Sequence, residues 1–298
     1  LVLIEQESEW VSDAEVTLSV AASDAHSGVA SVTVITDAEA LEATPTGLGS
    51  WGTTLTLNTV GLTTVTAVAV DRVGNAAEHQ RQLGVDNDGP VLVLELPEQG
   101  RPYRSAAVPV AGTAADTGAP VTSVTVITPS DDISIALDGT QFDQLVELPP
   151  AEGPQGLTVA ATNAAGLETS AAVSIVIDDT PPAWTAISLG VPSVDGQLQY
   201  IRADAATLSI VGMTDSPTHT WNGFAEVVVV LGQSSVSQTV AGPGDVTVAL
   251  DPPATGQANL AVTVEDVAGN AATETLLVEV DGAAGIQKRA ARPRFWRR

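Results

Sequence analysis

The sequence predicts an all-β protein that consists of three tandem antiparallel β-sandwich domains in an elongated array, followed by a flexible basic C-terminal tail. Two observations support this prediction. Short segments in which apolar and polar residues alternate recur along the 298 residues, and Gly, Pro, Asp and Asn interrupt them before a helical period develops. Several sequence markers also return at the same pair of spacings, which indicates an internal repeat.

The repeat is visible in three short markers. They are the polar turn segments 71–75, 163–167 and 266–270, the apolar alternations 31–34, 123–126 and 226–229, and the acidic linkers 86–90 and 178–182. Each marker returns after 92 residues, and the two that are present a third time return after a further 103. The extra 11 residues of the third copy all enter before its strand C. The predicted domains are 1–88, 89–180 and 181–282, and the tail is 283–298.

The first copy shows how the pattern predicts each strand. The predicted strands are A at residues 1–4, B at 16–20, C with Val32 and Val34 facing inward, E near Trp51 and residues 55–57, and F at 65–70. In strand F of every copy, the residues two, four and six positions before the turn are apolar, so this phase predicts the buried face. These residues are Val65, Ala67, Ala69, Leu157, Val159, Ala161, Leu260, Val262 and Val264.

The polar turn segments predict hairpins between strands F and G. Glycine tolerates a positive φ, and an aspartate side chain can accept hydrogen bonds from the backbone of its own turn. The second copy has Asn163 and Leu167 where the others have aspartate and asparagine. We therefore expect the same turn shape in all three copies. A chemical role for the turn is in doubt in the second copy, because it lacks the aspartate and the asparagine.

Composition excludes several classes of protein. The chain has no cysteine, so no disulfide can stabilise it. It also has no run of about 18 apolar residues, which a membrane-spanning helix would need. The 5 basic and 36 acidic residues before Gly282 leave a charge of −31 on the body. A body this acidic repels nucleic acid and attracts cations.

The last eleven residues include six basic residues and carry a charge of +6. We expect them to bind an anionic partner, either lipid head groups or the acidic body of another copy. The alternative is a disordered end without a partner. The basic residues are Lys288, Arg289, Arg292, Arg294, Arg297 and Arg298.

Three motifs carry a resemblance to a known family. They are Asp-x-x-Ser-Gly-Val-x-Ser-Val-Thr-Val at residues 24–34, the Asp-x-x-Gly-Asn turn, and the acidic linker that contains proline. Together they resemble tandem bacterial immunoglobulin-like (Ig-like) domains of secreted and surface proteins, over residues 1–282. The resemblance implies seven-stranded Greek-key sandwiches at the cell surface or outside the cell, with a role in adhesion, as a stalk, or as a spacer beside an enzyme. Residues 1–5 match residues 91–95 after a linker, so we expect a piece of a longer protein.

The order of strands in such a sandwich predicts a cation site. Because strand direction alternates, the B–C and F–G loops lie at the end where the chain enters, beside the preceding linker. Oxygen ligands therefore converge at both linkers, and calcium is the cation that prefers them. The second linker is favoured because it would gather four carboxylates. The alternative is that these residues occur there only because turns and linkers favour Asp, Asn, Gly and Pro. The candidate calcium ligands are Asp86, Asp88, Asp116, Asp178, Asp179, Asp215 and Asp266.

The enlarged B–C loop of the third copy, residues 215–223, suggests a second site, for a ligand. An exposed Trp221 could stack on a sugar ring with His219 and Asn222 beside it. The favoured alternative is that Trp221 packs against the adjacent domain or closes the end of its own sandwich. The three histidines share no spacing, and no serine or threonine lies in a motif that would activate it, so we expect no catalytic centre.

We therefore expect a non-catalytic structural or adhesive segment of a larger bacterial extracellular or cell-surface protein, acting as a stalk or binding array. Its partners would be other copies of itself, other surface proteins or glycans. Two alternatives stay open at this point. One is an accessory spacer region of a secreted enzyme, and the other is a subunit of an extracellular filament or envelope assembly that associates through the basic tail.

Overall fold

The structure is a computed structural model, and strands are its only regular secondary structure in the part of the chain that it describes. It describes residues 1–298 except 7, 58–59, 190, 193–198, 203–205, 216–223, 253–254 and 283–298. Among these described residues, no helix has the length and apolar character needed to cross a membrane. The all-β prediction is confirmed.

Strands β1 to β9 form the first pair of sheets. They are β1 (Val2–Glu5), β2 (Trp10–Val11), β3 (Glu15–Ala22), β4 (Val29–Ile35), β5 (Ala40–Glu42), β6 (Thr44–Gly47), β7 (Ser50–Thr56), β8 (Gly61–Asp71) and β9 (Ala76–Val85). One sheet has the order β1-β3-β7-β6 and the other the order β2-β9-β8-β4-β5. Neighbouring strands in these two sheets are antiparallel except β2 and β9, which are parallel.

Strands β10 to β17 form the second pair of sheets, in the orders β10-β12-β15 and β11-β17-β16-β13-β14. They are β10 (Val91–Leu96), β11 (Pro102–Tyr103), β12 (Ala107–Ala115), β13 (Val121–Ile127), β14 (Asp132–Ile135), β15 (Gln141–Glu147), β16 (Gly153–Asn163) and β17 (Glu168–Ile177).

Strands β18 to β26 form the third pair, in the orders β18-β21-β24 and β19-β20-β26-β25-β22-β23. They are β18 (Ala186–Leu189), β19 (Val191–Pro192), β20 (Gln199–Arg202), β21 (Ala206–Met213), β22 (Phe224–Leu231), β23 (Ser234–Thr239), β24 (Gly244–Leu250), β25 (Gly256–Asp266) and β26 (Ala271–Asp281).

In each pair, one sheet joins strands A, B and E and the other joins C, F and G, which is the Ig-like arrangement. The expectation of seven strands per sandwich is wrong, because over the described ranges the paired sheets have 4 and 5, 3 and 5, and 3 and 6 strands. The additional strands are short segments such as the edge strand β2, which pairs in parallel with β9 over two residues. A segment of two residues has no period, so the sequence pattern does not reveal it.

Alternate side chains of each strand form the cores. The predicted inward phase of strand F is buried in all three copies, as are Val32 and Val34 of strand C. One core cluster comprises residues from Val2 to Val85 and another comprises residues from Leu189 to Val280. The period of two in the sequence therefore places the apolar side chains between the sheets.

The chain forms two compact units. Unit 1 comprises Leu1–Gln99, Ala107–Pro149 and Gly156–Ser174, and unit 2 comprises Gly100–Ala106, Pro150–Gln155 and the described residues from Ile175 onward. The division into domains 1–88, 89–180 and 181–282 stays a prediction. What supports it is that each pair of sheets takes its strands from one consecutive stretch of chain.

Candidate cation site

Two polar clusters occupy corresponding places in the repeat. We call Asp86, Asp116 and Asn163 the asparagine cluster, and Asp178, Asp215 and Asp266 the aspartate cluster. Asp178 follows Asp86 by 92 residues, and Asp266 follows Asn163 by 103, so these positions correspond in the repeat. The first cluster lies within unit 1 and the second within unit 2.

The asparagine cluster is centred on a side-chain amide. Asn163 is buried and its Nδ2 donates to Oδ2 of Asp86 and to Oδ2 of Asp116, both at 3.0 Å, and to the carbonyl oxygen of Asp88 at 3.2 Å. The backbone N–H of Ala119 donates to Oδ2 of Asp86 at 2.7 Å. The amide therefore links the first acidic linker to the B–C loop.

The same asparagine also holds its own turn. Its Oδ1 accepts hydrogen bonds from the backbone N–H groups of Ala165 at 3.1 Å and Leu167 at 2.9 Å. Gly166 takes a φ of 81° in this turn, which an L-residue with a side chain rarely adopts. The F–G turn thus fixes the direction in which the Asn163 amide points.

The aspartate cluster has a carboxylate at each of its three positions. One oxygen of each lies within 4.8 Å of the others, and Asp178, Asp215 and Asp266 are 0%, 8% and 1% exposed. The backbone groups of Ala183 and Thr214 exchange hydrogen bonds of 2.8 and 2.7 Å, which fasten the chain after the linker beside Asp215. This buried acidic triad could hold an ion.

Asp266 is positioned by its own turn, as Asn163 is. Its Oδ1 accepts from the backbone N–H groups of Ala268 and Asn270, both at 2.8 Å. The amide Nδ2 of Asn270 donates to Oδ2 of Asp266 at 2.9 Å and to the carbonyl oxygen of Asp178 at 2.7 Å. Asn270 therefore belongs to the site, although the sequence pattern did not predict it as a site residue. A signal was available, because Asn270 ends the Asp-x-x-Gly-Asn turn.

The two clusters differ in charge. An asparagine amide donates hydrogen bonds to neighbouring carboxylates, whereas an ionised aspartate only accepts them. The asparagine cluster thus pairs two carboxylates with a donor, while the aspartate cluster brings three carboxylates together in a buried place. Burying several carboxylates together is costly unless hydrogen bonds or a cation compensate for their negative charge. A divalent cation with oxygen ligands fits this arrangement.

The remaining candidates lie apart from the aspartate cluster or outside the described residues. Asp88 and Asp179 have exposed side chains, and Asp88 uses its backbone carbonyl rather than its carboxylate. Three carboxylates, not the expected four, thus group beside the second linker among the described residues. His219, Trp221 and Asn222, with the six basic residues of the tail, lie outside the described residues.

In the first copy, the corresponding positions are Asp24 and Asp71, and both aspartates cap their loops. A side-chain hydrogen bond from Asn75 is the main cause that lowers the pKa of Asp71 to about 2. The pKa of Asp24 is also lowered, first by the backbone N–H of Gly28 and then by that of His26. Both side chains are therefore carboxylates at neutral pH.

No protein-family model and no curated protein matches the chain. Among solved structures, it is similar to the fibronectin(III)-like modules of Clostridium thermocellum CbhA, with 15% identity over 65% of this chain and 95% of that one, at a TM-score of 0.41. It is similar to a tetra-tandem repeat in the extending region of a large adhesion protein, with 18% identity over 94% and 73% and a TM-score of 0.28. It is also similar to the FN1-FN3 domains of chicken CNTN1, with 11% identity over 93% and 97% and a TM-score of 0.35.

Proposed function

We propose that this chain is a non-catalytic structural or adhesive segment of a larger bacterial extracellular or cell-surface protein. The observation that carries the proposal is the burial of the polar side chains that come together. Asp86, Asn163, Asp178 and Asp266 are at most 2% exposed, and their hydrogen bonds go to turns and linkers. Side chains in such places hold the backbone and are closed to a diffusing substrate.

The second part of the proposal is that the aspartate cluster binds one calcium ion. Asp178, Asp215 and Asp266 would supply carboxylate oxygens, and calcium takes six to eight oxygens from flexible arrangements of carboxylates, carbonyls and water. The ion would offset most of the negative charge and tie the linker residue Asp178 to the two loops that carry Asp215 and Asp266. We assign calcium to this cluster alone, because the Asn163 amide already donates to both carboxylates of the other cluster.

A calcium titration of the whole chain tests the cation site. We expect one site per chain, with a Kd of about 10⁻⁴ to 10⁻³ M, the range of extracellular modules. At a free calcium concentration 100 times Kd, binding to the folded state alone stabilises it by about 2.7 kcal/mol. Calorimetry measures the stoichiometry, and melting with calcium or with chelator measures the stabilisation. An unchanged melting temperature together with no binding heat would contradict the calcium assignment.

Surface display tests the adhesive role. The chain fused to an outer-membrane anchor should increase attachment of the carrier cells to glycan-coated or cell-coated surfaces, compared with the anchor alone. A display of the same chain with Leu18, Val124 and Leu208 replaced by Asp, which puts a charge into a buried position of each pair of sheets, is the matched unfolded control. Attachment equal to that of this control would overturn the adhesive role while leaving the calcium assignment intact.

A further inference from the structure

Unit 1 carries a groove of ≈ 500 Å³ that the cation site does not involve. We call it the Trp51 groove. One wall is the hairpin of β6 and β7, with Pro45, Leu48 and Trp51, and the other wall is formed by Asp24 of the B–C loop and Arg72 of the F–G turn. The volume lies in the range of about 300 to 1,000 Å³ that small-molecule sites occupy.

The hairpin wall is an addition to the shared fold. Strand β6 is a fourth strand in the sheet β1-β3-β7-β6, whereas the corresponding sheets β10-β12-β15 and β18-β21-β24 have three strands among the described residues. Pro45 of β6 lies opposite Trp51 of β7 in the ladder, so both side chains are on the face that the groove uses. Among the described residues, the groove therefore depends on a strand that only the first copy has.

Backbone hydrogen bonds hold both walls in place. The N–H of Ala22 donates to the carbonyl of Gly49 at 2.8 Å, which fixes the hairpin against β3. The N–H of Arg72 donates to the carbonyl of Gly28 at 3.1 Å, which joins the F–G turn to the B–C loop. A ligand would meet a preformed site, and less conformational entropy is lost on binding to such a site.

The lining combines an apolar surface with two planar polar groups. Trp51 is half-buried and packs against the core of the first pair of sheets, while Leu48 is fully exposed at the hairpin tip. Oδ1 of Asp24 accepts from the N–H groups of His26, Ser27 and Gly28. Every hydrogen bond to this carboxylate from the described residues goes to Oδ1, so Oδ2 can accept from a ligand. The exposed Arg72 side chain contributes a guanidinium with several donors.

We propose that the Trp51 groove binds a neutral pyranose unit of a saccharide. An indole ring and an adjoining proline suit the apolar face of a sugar ring, while a fixed carboxylate and a guanidinium suit its hydroxyl groups. The two charges of the groove cancel, and the net charge of −25 on the chain opposes the approach of an anionic saccharide. The inference rests on the adhesive role proposed above and names the chemistry of its ligand.

An NMR titration of the ¹⁵N-labelled chain in the presence of chelator tests this inference. The probes are cellohexaose, xylohexaose, laminarihexaose and maltohexaose, with hexagalacturonate as the charged comparison. The indole N–H of Trp51 should shift and saturate with at least one neutral probe. The indole N–H of Trp184, which donates to Oε2 of Glu274 at 2.7 Å, should not shift.

Two arginine variants make the test specific. Arg72→Ala should weaken the binding at least tenfold, whereas Arg81→Ala removes the same charge from β9 outside the groove and should leave it unchanged. The inference is overturned if no neutral probe shifts Trp51, if hexagalacturonate binds more tightly, or if both variants bind alike. A failure here leaves the calcium titration and the display experiment as they were, since neither measures the Trp51 groove.

Discussion

A single atom type distinguishes the two polar clusters at the residue scale. Asn163 and Asp266 begin equivalent turns, and each accepts hydrogen bonds from two backbone N–H groups through Oδ1. They differ in the second atom, which is an amide nitrogen that donates in Asn163 and a carboxylate oxygen that accepts in Asp266. The asparagine cluster thus has a donor between its two carboxylates. The aspartate cluster has three carboxylates, of which Asp266 accepts from the Asn270 amide, and it gathers negative charge that a cation can neutralise.

Exchanging the two residue types should exchange the behaviour of the clusters. Asp266→Asn should remove the calcium response and raise the melting temperature in chelator, because an amide can donate to Asp178 and Asp215 as Asn163 donates to Asp86 and Asp116. Calorimetry and thermal melting measure both effects. Asp179→Asn is the control that removes one carboxylate from the exposed part of the same linker, so an equal rise of the melting temperature in both variants would contradict the role assigned to the amide.

The reverse substitution tests the same idea in unit 1. Asn163→Asp replaces three donated hydrogen bonds with a third carboxylate, so the variant should be less stable in chelator by about 1 to 3 kcal/mol. Calcium should restore that stability, and the stoichiometry of binding should rise from one to two ions per chain. A stoichiometry that stays at one, with stability that calcium does not restore, would refute the equivalence of the clusters.

The pKa of Asp71 gives a prediction that is independent of calcium. Hydrogen bonds, first of all from the Asn75 side chain, lower this pKa from 3.8 to about 2. Because the folded pKa is depressed, the stabilisation is complete above the unfolded value of 3.8 and is lost as the pH falls towards 2. Carboxyl ¹³C NMR should show the Asp71 midpoint near 2.

Two variants of the same turn separate the causes of that shift. Asn75→Ala should move the midpoint of Asp71 upward, because it removes the side-chain donor. Val73→Ala keeps the backbone N–H that donates to Asp71 at 2.9 Å and should leave the midpoint unchanged. Equal midpoints in both variants would mean that Asn75 is not the main cause.

Among the strands, the short edge strand β2 depends on the close approach of Trp10 to Gly84 of β9. Strand β2 pairs with β9 through Trp10 and Gly84, and the indole ring of Trp10 lies directly on Gly84. A Cβ on Gly84 would lie 2.6 Å from Cζ3 and 2.8 Å from Cδ2 of Trp10, distances that real side chains do not adopt. Only glycine at this position lets the edge strand close over the sheet.

Gly84→Ala should therefore displace the Trp10 ring. We expect a loss of about 1 to 3 kcal/mol in the free energy of unfolding, as for other overpacked sites. Denaturant melts measure the loss, and tryptophan emission should shift to the red because the ring gains water. Gly156→Ala is the matched control, since no atom lies within 4 Å of its added Cβ and its stability should change little. Equal stability of the two variants would contradict the packing described for β2.

At the scale of the whole molecule, repetition and charge dominate. Each copy builds an apolar core from strands that alternate in pattern, and the net charge of −25 keeps the surface acidic. A negative surface attracts cations to the neighbourhood of the aspartate cluster. The same surface opposes anionic ligands, which is why the Trp51 groove is assigned a neutral sugar.

Force spectroscopy tests the number of folding units in the chain. If residues 1–88, 89–180 and 181–282 are separate domains, pulling on the ends should give three unfolding steps. Each step should release about 300 Å of contour, because a chain extends by roughly 3.3 to 3.6 Å per residue. Calcium should raise the force of one step only. Two longer releases would show instead that the two compact units are the cooperative units.

Much of the fold and part of the candidate site could be predicted from the sequence. The inward residues of strand F were predicted because a period of two is local, and the all-β class follows from the same pattern. The repeat spacing, together with the alternation of strand direction, placed Asp215 and Asp266 beside the second linker. The spacing could not show which of Asp178 and Asp179 points into the site, because the surrounding contacts set the directions of adjacent linker side chains.

The Ig-like class, the three copies of the pattern and the loops that meet each linker could all be predicted from the amino-acid order, because they follow from local periodicity and spacing. Three features became visible only in the folded chain: Asp178 is buried while Asp179 is exposed, the Asn163 amide donates to two carboxylates, and β6 forms one wall of the groove beside Trp51. These features depend on the directions of side chains from strands far apart in the chain, which register and packing set together.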